Sequence, residues 1–224
     1  MLFELDSVTL ARGSRTVLED VSCELPEGAS CIAGPSGSGK SSLLRLLNRL
    51  ADPASGAVRY RGADVRERDP LGLRREVGLV PQLPALLPGT VAENLSYAAG
   101  LDGARPGDDG PDVSRLLELA GLGAGYADRD AERLSVGEQQ RAMLARTLAV
   151  EPRVLLLDEP TSALDERARD AIESTLRDLR ARLGLSLVLV THDLEQARRM
   201  SDWVVRLDEG TVEAQGPAEE VLRA

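Results

Sequence analysis

Gly34-Pro35-Ser36-Gly37-Ser38-Gly39-Lys40-Ser41 fits the phosphate-binding pattern G-x-x-x-x-G-K-[ST] at every fixed position. Three glycines let the backbone curl until successive N–H groups point at one anion, and a following helix adds its positive end. The flanks agree with that reading. Ser30 to Ala33 reads as a short buried strand running into the loop. Leu43, Leu46, Leu47 and Leu50 then recur at i, i+3, i+4 and i+7, the spacing of an amphipathic helix. Lys40 is the one lysine among 27 Lys and Arg residues. A bias toward arginine explains the missing lysines but not the retained one, because a planar guanidinium cannot replace a compact ammonium between phosphates. The bland alternative is a Gly/Ser turn with an incidental lysine, and the strand and helix around it count against that.

Outward from this loop, Leu2 to Leu10 and Val17 to Leu25 read as strands separated by the turn-prone Arg12-Gly13-Ser14. Ala57 to Tyr60 and Val77 to Val80 are further strand candidates. From Pro84 to about Ala149 the pattern is mainly helical, broken by a Gly/Pro-rich stretch, 100–111, expected to be an exposed loop. Strand character returns at Val154 to Leu157 and at Leu187 to Val190. Between them a helix is expected over Glu166 to Leu183, with Ala168, Ile172, Leu176, Leu179 and Leu183 on one face and Gly184 as its stop. Asp208-Glu209-Gly210 between Val204–Leu207 and Thr211–Ala214 is a hairpin signal. Short apolar strands alternating with amphipathic helices predict an α/β fold with a mostly parallel sheet, to which the N-terminal strands add an antiparallel annex.

The bulk properties narrow the function. Hydrophobic residues at 42% and charged residues at 29% are ordinary for a globular chain, and 224 residues bury a core easily. Aromatic residues are 2%, so that core must be aliphatic. A net charge of −10 without a basic stripe argues against nucleic acid as a partner. No run approaches a membrane span and no signal peptide opens the sequence, so a cytoplasmic chain is expected, reaching any membrane through a partner. Cys23 and Cys31 lack companions for a zinc site and are expected to be small buried hydrophobes in strands.

The second chemical signal is Val154-Leu155-Leu156-Leu157-Asp158-Glu159, an apolar strand delivering two carboxylates at its C-terminal end, where ligands bind in parallel sheets. Asp158 and the Ser41 hydroxyl suit Mg²⁺, and Glu159 suits an attacking water. Acidic residues after strands are common turn formers, so this pair gains its weight from the glycine loop.

Leu134-Ser135-Val136-Gly137-Glu138-Gln139-Gln140-Arg141 discriminates among phosphate-loop proteins. It resembles the signature of the ATP-binding-cassette (ABC) ATPases, commonly Leu-Ser-Gly-Gly-Gln-Gln-Gln-Arg. Val136 and Glu138 depart from that pattern, and Ser135 to Glu138 is also a good helix-capping box. The resemblance covers essentially the whole chain and carries further residues with it. It implies a phosphate-loop NTPase core over about 1–82 and 150–224, and an inserted helical subdomain over about 83–149. It implies a nucleotide site made by Gly34 to Ser42, with Lys40, Gln82, Glu159 and His192 catalytic and Ser41, Gln82 and Asp158 at the metal. Ser135, Val136, Gly137 and Glu138 would reach the γ-phosphate bound by the opposite subunit, and Asp165, in Ser162-Ala163-Leu164-Asp165, would lie on the loop crossing the dimer interface. The family usually stacks an aromatic residue on adenine; Arg12 stands at that position here, either as a stacking guanidinium or as a solvated loop residue.

The activity so implied is Mg²⁺-dependent ATP hydrolysis by a head-to-tail homodimer that drives a separate integral membrane permease, peripheral on the inner face of the cell membrane. The stretch from Gln82 to Leu95 lies where the family meets that permease. It looks similar to ATPase subunits of small bacterial exporters associated with iron or other metal tolerance, and importers of amino acids or phosphate stay open. The rival class is a soluble, non-transport ABC protein. Two-cassette translation factors and coiled-coil repair proteins do not fit one short cassette, whereas an iron–sulfur assembly scaffold does.

Overall fold

Alternating apolar side chains make β1 (Phe3–Arg12) and β2 (Arg15–Leu25) half-buried antiparallel partners, joined through Gly13 and Ser14. The computed structural model describes residues 1–101 and 110–223, so the expected loop over 100–111 lies for the most part outside the described residues. β3 (Ala29–Ala33) is buried along its whole length and leads into α1 (Lys40–Leu47). β4 (Ser55–Tyr60) and β5 (Ala63–Asp64) complete a four-stranded sheet of order β2-β1-β4-β5. After α2 (Pro70–Glu76) come β6 (Val77–Val80), α3 (Val91–Gly100), α4 (Val113–Leu119), α5 (Val136–Leu148), β7 (Val154–Asp158), α6 (Glu166–Leu183) and β8 (Ser186–Thr191). The described chain ends with α7 (Leu194–Met200), the hairpin β9 (Trp203–Asp208) and β10 (Thr211–Pro217), and α8 (Ala218–Val221).

The second sheet has six strands in the order β10-β9-β3-β8-β7-β6. β3 runs parallel to β8 and β9, β7 runs parallel to β8, and β10 is antiparallel to β9. This is the expected mixed architecture. Strands buried on both faces read as continuous apolar runs, which is why Val154 to Leu157 and Leu187 to Val190 were recognisable without alternation.

Two compact units result. One comprises 1–79, 154–159 and 185–224, and holds both sheets with α1, α2, α7 and α8; the other comprises 80–153 and 160–184, and holds α3 to α6. In the first, Leu43, Leu44, Leu46 and Leu47 of α1 join Val154, Leu156, Val188, Val190, Val205 and Leu207 of the sheet in one aliphatic core. Each such side chain contributes roughly 1.5–3 kcal/mol by leaving water. Cys23 and Cys31 are free and buried in that unit's strands; burial pushes the Cys23 thiol up to about 12, so neither is a nucleophile.

Two apolar positions fall outside the faces their spacing suggested. α1 stops at Leu47, and Arg49 adopts a left-handed φ of 56°, so Leu50 turns out into solvent at 49% exposure. Leu183, the last residue of α6, is also exposed, beyond the packed stripe of Ile172, Leu176 and Leu179. α2 and α7, seven residues each, are too short to display a period.

Candidate nucleotide-binding site

The loop after β3 is shaped by two close approaches. A Cβ on Gly34 would lie 2.0 Å from the Leu207 carbonyl oxygen. Gly39, at φ 101°, would place one 2.7 Å from Leu18 Cδ2 and 3.0 Å from the Val17 oxygen. Only glycine fits at either place. Gly39 is also the N-cap of α1 and supplies no side-chain cap, whereas α2 to α7 are each capped by an Asp, Thr or Ser side chain. The first N–H groups of α1 are thereby left for an anion.

Three polar groups look into this cradle. Lys40, 4% exposed, donates its ammonium to the Pro35 carbonyl at 2.7 Å, folding back over the loop that a phosphate would occupy. Burial pulls its pKa below the usual lysine value, against the opposing Glu159 and Asp158 carboxylates. The Ser38 Oγ is buried without a hydrogen-bond partner among the described residues. Such an orphaned hydroxyl costs about 1–3 kcal/mol, which a ligand oxygen would relieve. Ser41 Oγ donates to Asp158 Oδ1 at 2.7 Å, giving a pair of hard oxygens that fits Mg²⁺. Ser36, Gly37 and Ser42 complete the loop and line its cavity. Among the described residues no group of three His, Cys, Asp or Glu side chains could hold a metal alone, so phosphate and water oxygens would supply the remaining ligands.

At the end of β7 the chain bends through Glu159, whose φ of 44° is left-handed and costs a non-glycine residue roughly 1–2 kcal/mol. Its N–H donates to the Val190 carbonyl at 3.1 Å, tying the bend to β8. Its Oε2 lies 3.3 Å from Nδ1 of His192, which follows β8 and is half exposed. A carboxylate and an imidazole in contact beside an anion cradle can position a water and accept its proton.

Arg12 lies at the end of β1 and, with Arg15, Thr16, Val17, Asp208, Glu209 and Gly210, lines a cavity of about 660 Å³ shared with Pro35 to Ser38. The size suits a nucleotide. Sequence reasoning missed Arg15, although a two-residue connection at Gly13-Ser14 sets it opposite Arg12.

The remaining candidates belong to the second unit. Gln82 follows β6 and donates from Nε2 to Ser162 Oγ at 3.2 Å. Asp165 caps α6 by accepting from the Ala168 N–H at 2.8 Å. Ser135 caps α5, with Val136 as an exposed first helical residue and Gly137 placed so that a Cβ there would come into ordinary contact with Leu164 and Ala168. Valine in place of glycine is therefore accommodated by pointing outward. Glu138 makes the reciprocal half of the capping box: its Oε2 accepts from the Ser135 N–H at 2.8 Å and hydroxyl at 2.7 Å, and its Oε1 accepts from Tyr126 Oη at 2.6 Å. Tyr126 first, and then the Ser135 donors, hold the Glu138 carboxyl down to about 2. Because the folded value lies below the ordinary 4.5, the stabilisation from this network is full above pH 4.5 and fades as pH falls toward 2. Carboxyl NMR titration should place the Glu138 midpoint near 2 in wild type, and Tyr126→Phe should raise it; an unmoved midpoint would remove Tyr126 as the cause.

Comparison with known proteins agrees with this geometry. A family model described as ABC transporter matches residues 18–162. Protein STAR1 of Oryza sativa subsp. japonica is 46% identical over 215 residues, covering 96% of this chain and 61% of its own. The methionine import ATP-binding protein MetN of Geobacillus kaustophilus is 41% identical over 218 residues, covering 95% and 64%. The chain thus spans about three fifths of the length of these two relatives. Among solved structures, an ATP-binding cassette captured as a dimer in a post-hydrolysis state with ADP and Pi is 31% identical, at a TM-score of 0.84 and covering 97% of this chain and 99% of its own. The phosphate loop, the carboxylate pair at the end of β7 and a family match spanning both identify the chain as a member of the ABC transporter family, an ATP-binding cassette of the ATPase type.

Proposed function

We propose that this chain is the ATP-hydrolysing motor of a membrane transporter, acting with Mg²⁺ as a head-to-tail dimer against a separate permease. The observation that carries the reading is the set Lys40, Ser41–Asp158 and Glu159–His192 gathered around an uncapped helix start. Lys40 exchanges the Pro35 carbonyl for β- and γ-phosphate oxygens, while the N–H groups of Gly37, Gly39, Lys40 and Ser41 hold the same phosphates. Ser41 and Asp158 hold Mg²⁺, which supplies charge neutralisation at the phosphates. A water oxygen attacks the γ-phosphorus, the bond to the β-phosphate oxygen breaks, and Glu159 accepts the water's proton with His192 holding its carboxylate. Gln82 serves as the nucleotide sensor. Ser135 to Glu138 and Asp165 serve the nucleotide of the partner copy.

Among the described residues no helix is long and apolar enough to cross a membrane. Leu83, Leu87 and Tyr97 are large and exposed in the second unit, suiting an apolar contact with the permease at the cytoplasmic face. The direction of transport, import in the methionine relative's name and export in the metal-tolerance resemblance, is a property of that permease. Affinity purification of the tagged chain from detergent-solubilised cells should return a multi-span protein. Recovery of soluble partners alone would favour an assembly scaffold instead.

Arg12 covers the base. Arg12→Ala should weaken ATP binding by about 1–3 kcal/mol, the range for one base-stacking contact. Ribose triphosphate, which lacks the base, should bind both proteins alike. Equal ATP affinity for wild type and variant would mean the base is held elsewhere.

A further inference from the structure

The base end of the nucleotide cavity is lined by charge and, among the described residues, by no aromatic ring. Arg12 and Arg15 are direct cross-strand partners, so their side chains leave one face of the hairpin, and both line the cavity. Among the described residues neither guanidinium has a hydrogen bond, ion pair or ring contact, whereas Arg49, Arg66 and Arg198 are all paired with carboxylates. The chain's single Phe, single Trp and three Tyr are all absent from the lining. Asp208 and Glu209 lie in the same wall; Asp208 Oδ1 accepts from the Glu209 N–H at 3.0 Å, which leaves its other oxygen and the Glu209 carboxylate as acceptors.

Base preference at such a wall is decided by hydrogen-bond edges as well as by stacking. A guanidinium along the Hoogsteen edge of guanine meets two acceptors, N7 and O6, which match its fork. Along adenine it meets one acceptor, N7, and the opposing N6 amino donor. Carboxylates also accept from the N2 amino group of guanine, on an edge where adenine has no donor, its own amino group being N6. We propose that this site takes guanosine triphosphate as a second substrate, bound at least as tightly as ATP, with Arg12 across the base face and Arg15 on the N7/O6 edge. The inference rests on the nucleotide-binding reading above. Hydrolysis follows the same course, water attacking the γ-phosphorus and GDP leaving with the β-phosphate oxygen.

The test is calorimetric titration of the full chain with the Mg²⁺ complexes of the β,γ-imido analogues of GTP and ATP. Wild type should bind the guanine analogue as tightly as the adenine analogue or more so. Arg15→Ala should weaken the guanine analogue about tenfold and the adenine analogue by less than threefold, in keeping with the discrimination of one bidentate contact. Arg15→Lys should not restore the difference, because an ammonium lacks the fork. Arg12→Ala should weaken both alike. Wild type binding the adenine analogue tenfold more tightly, or Arg15→Ala affecting both equally, overturns the proposal while leaving the nucleotide site standing. Binding of neither analogue overturns both.

Discussion

Lys40→Ala abolishes nucleotide turnover, falling at least about a hundredfold below wild type, the scale on which one charged donor to a reacting oxyanion acts. The ammonium is folded into the loop on the Pro35 carbonyl, and the chain has no second lysine to replace it. Arginine does not rescue it. The backbone at Gly34 and Gly39 admits no Cβ, and a planar fork does not replace a point charge in a loop packed that closely. Because Lys40 is the sole lysine, amine-directed labelling supplies an independent check: bound nucleotide should protect the one reactive ε-amine. Near-normal phosphate release by the alanine variant would remove the catalytic assignment.

Glu159→Gln retains nucleotide binding and loses hydrolysis by about 10²–10⁴-fold, the range for a general base. The amide keeps the shape of the side chain and the left-handed bend, so the loop and the 3.1 Å bond from its N–H to Val190 persist. What it cannot do is accept the proton of water. With turnover blocked, the nucleotide-bound dimer should accumulate, visible by size-exclusion chromatography with Mg-ATP and absent without it. A monomeric variant turning over at the wild-type rate would contradict the role of Glu159. A blocked variant that stays monomeric would instead count against nucleotide-driven dimerisation alone.

Most of the frame was legible in the chain because its elements are locally encoded. The runs Val154–Leu157 and Leu187–Val190 are apolar throughout, as strands buried on both faces must be. α6 begins at the Asp165 cap and ends at Gly184 with φ 66°, both readable as residue types. The glycine loop announced its chemistry because close backbone approach admits no side chain, a constraint written directly into sequence.

What sequence could not decide were properties created by distant segments meeting. Leu50 continued the helical period but turned outward, because a left-handed residue at Arg49 ended the helix first. Tyr126 gave no local sign of holding Glu138, since the eleven intervening residues have to fold back before the hydroxyl reaches the carboxylate. The contact of Glu159 with His192 depends on β7 and β8 being parallel neighbours, a pairing no local pattern specifies. The cavity lining is the clearest case. Arg12 and Arg15 come from one hairpin, Asp208 and Glu209 from another nearly two hundred residues away, and Pro35 to Ser38 from a loop between them. Local sequence selects which strands and turns form, through side-chain sterics and hydrogen bonding within a few residues. Only the sheet, by bringing those turns to one edge, decides which charges share a cavity.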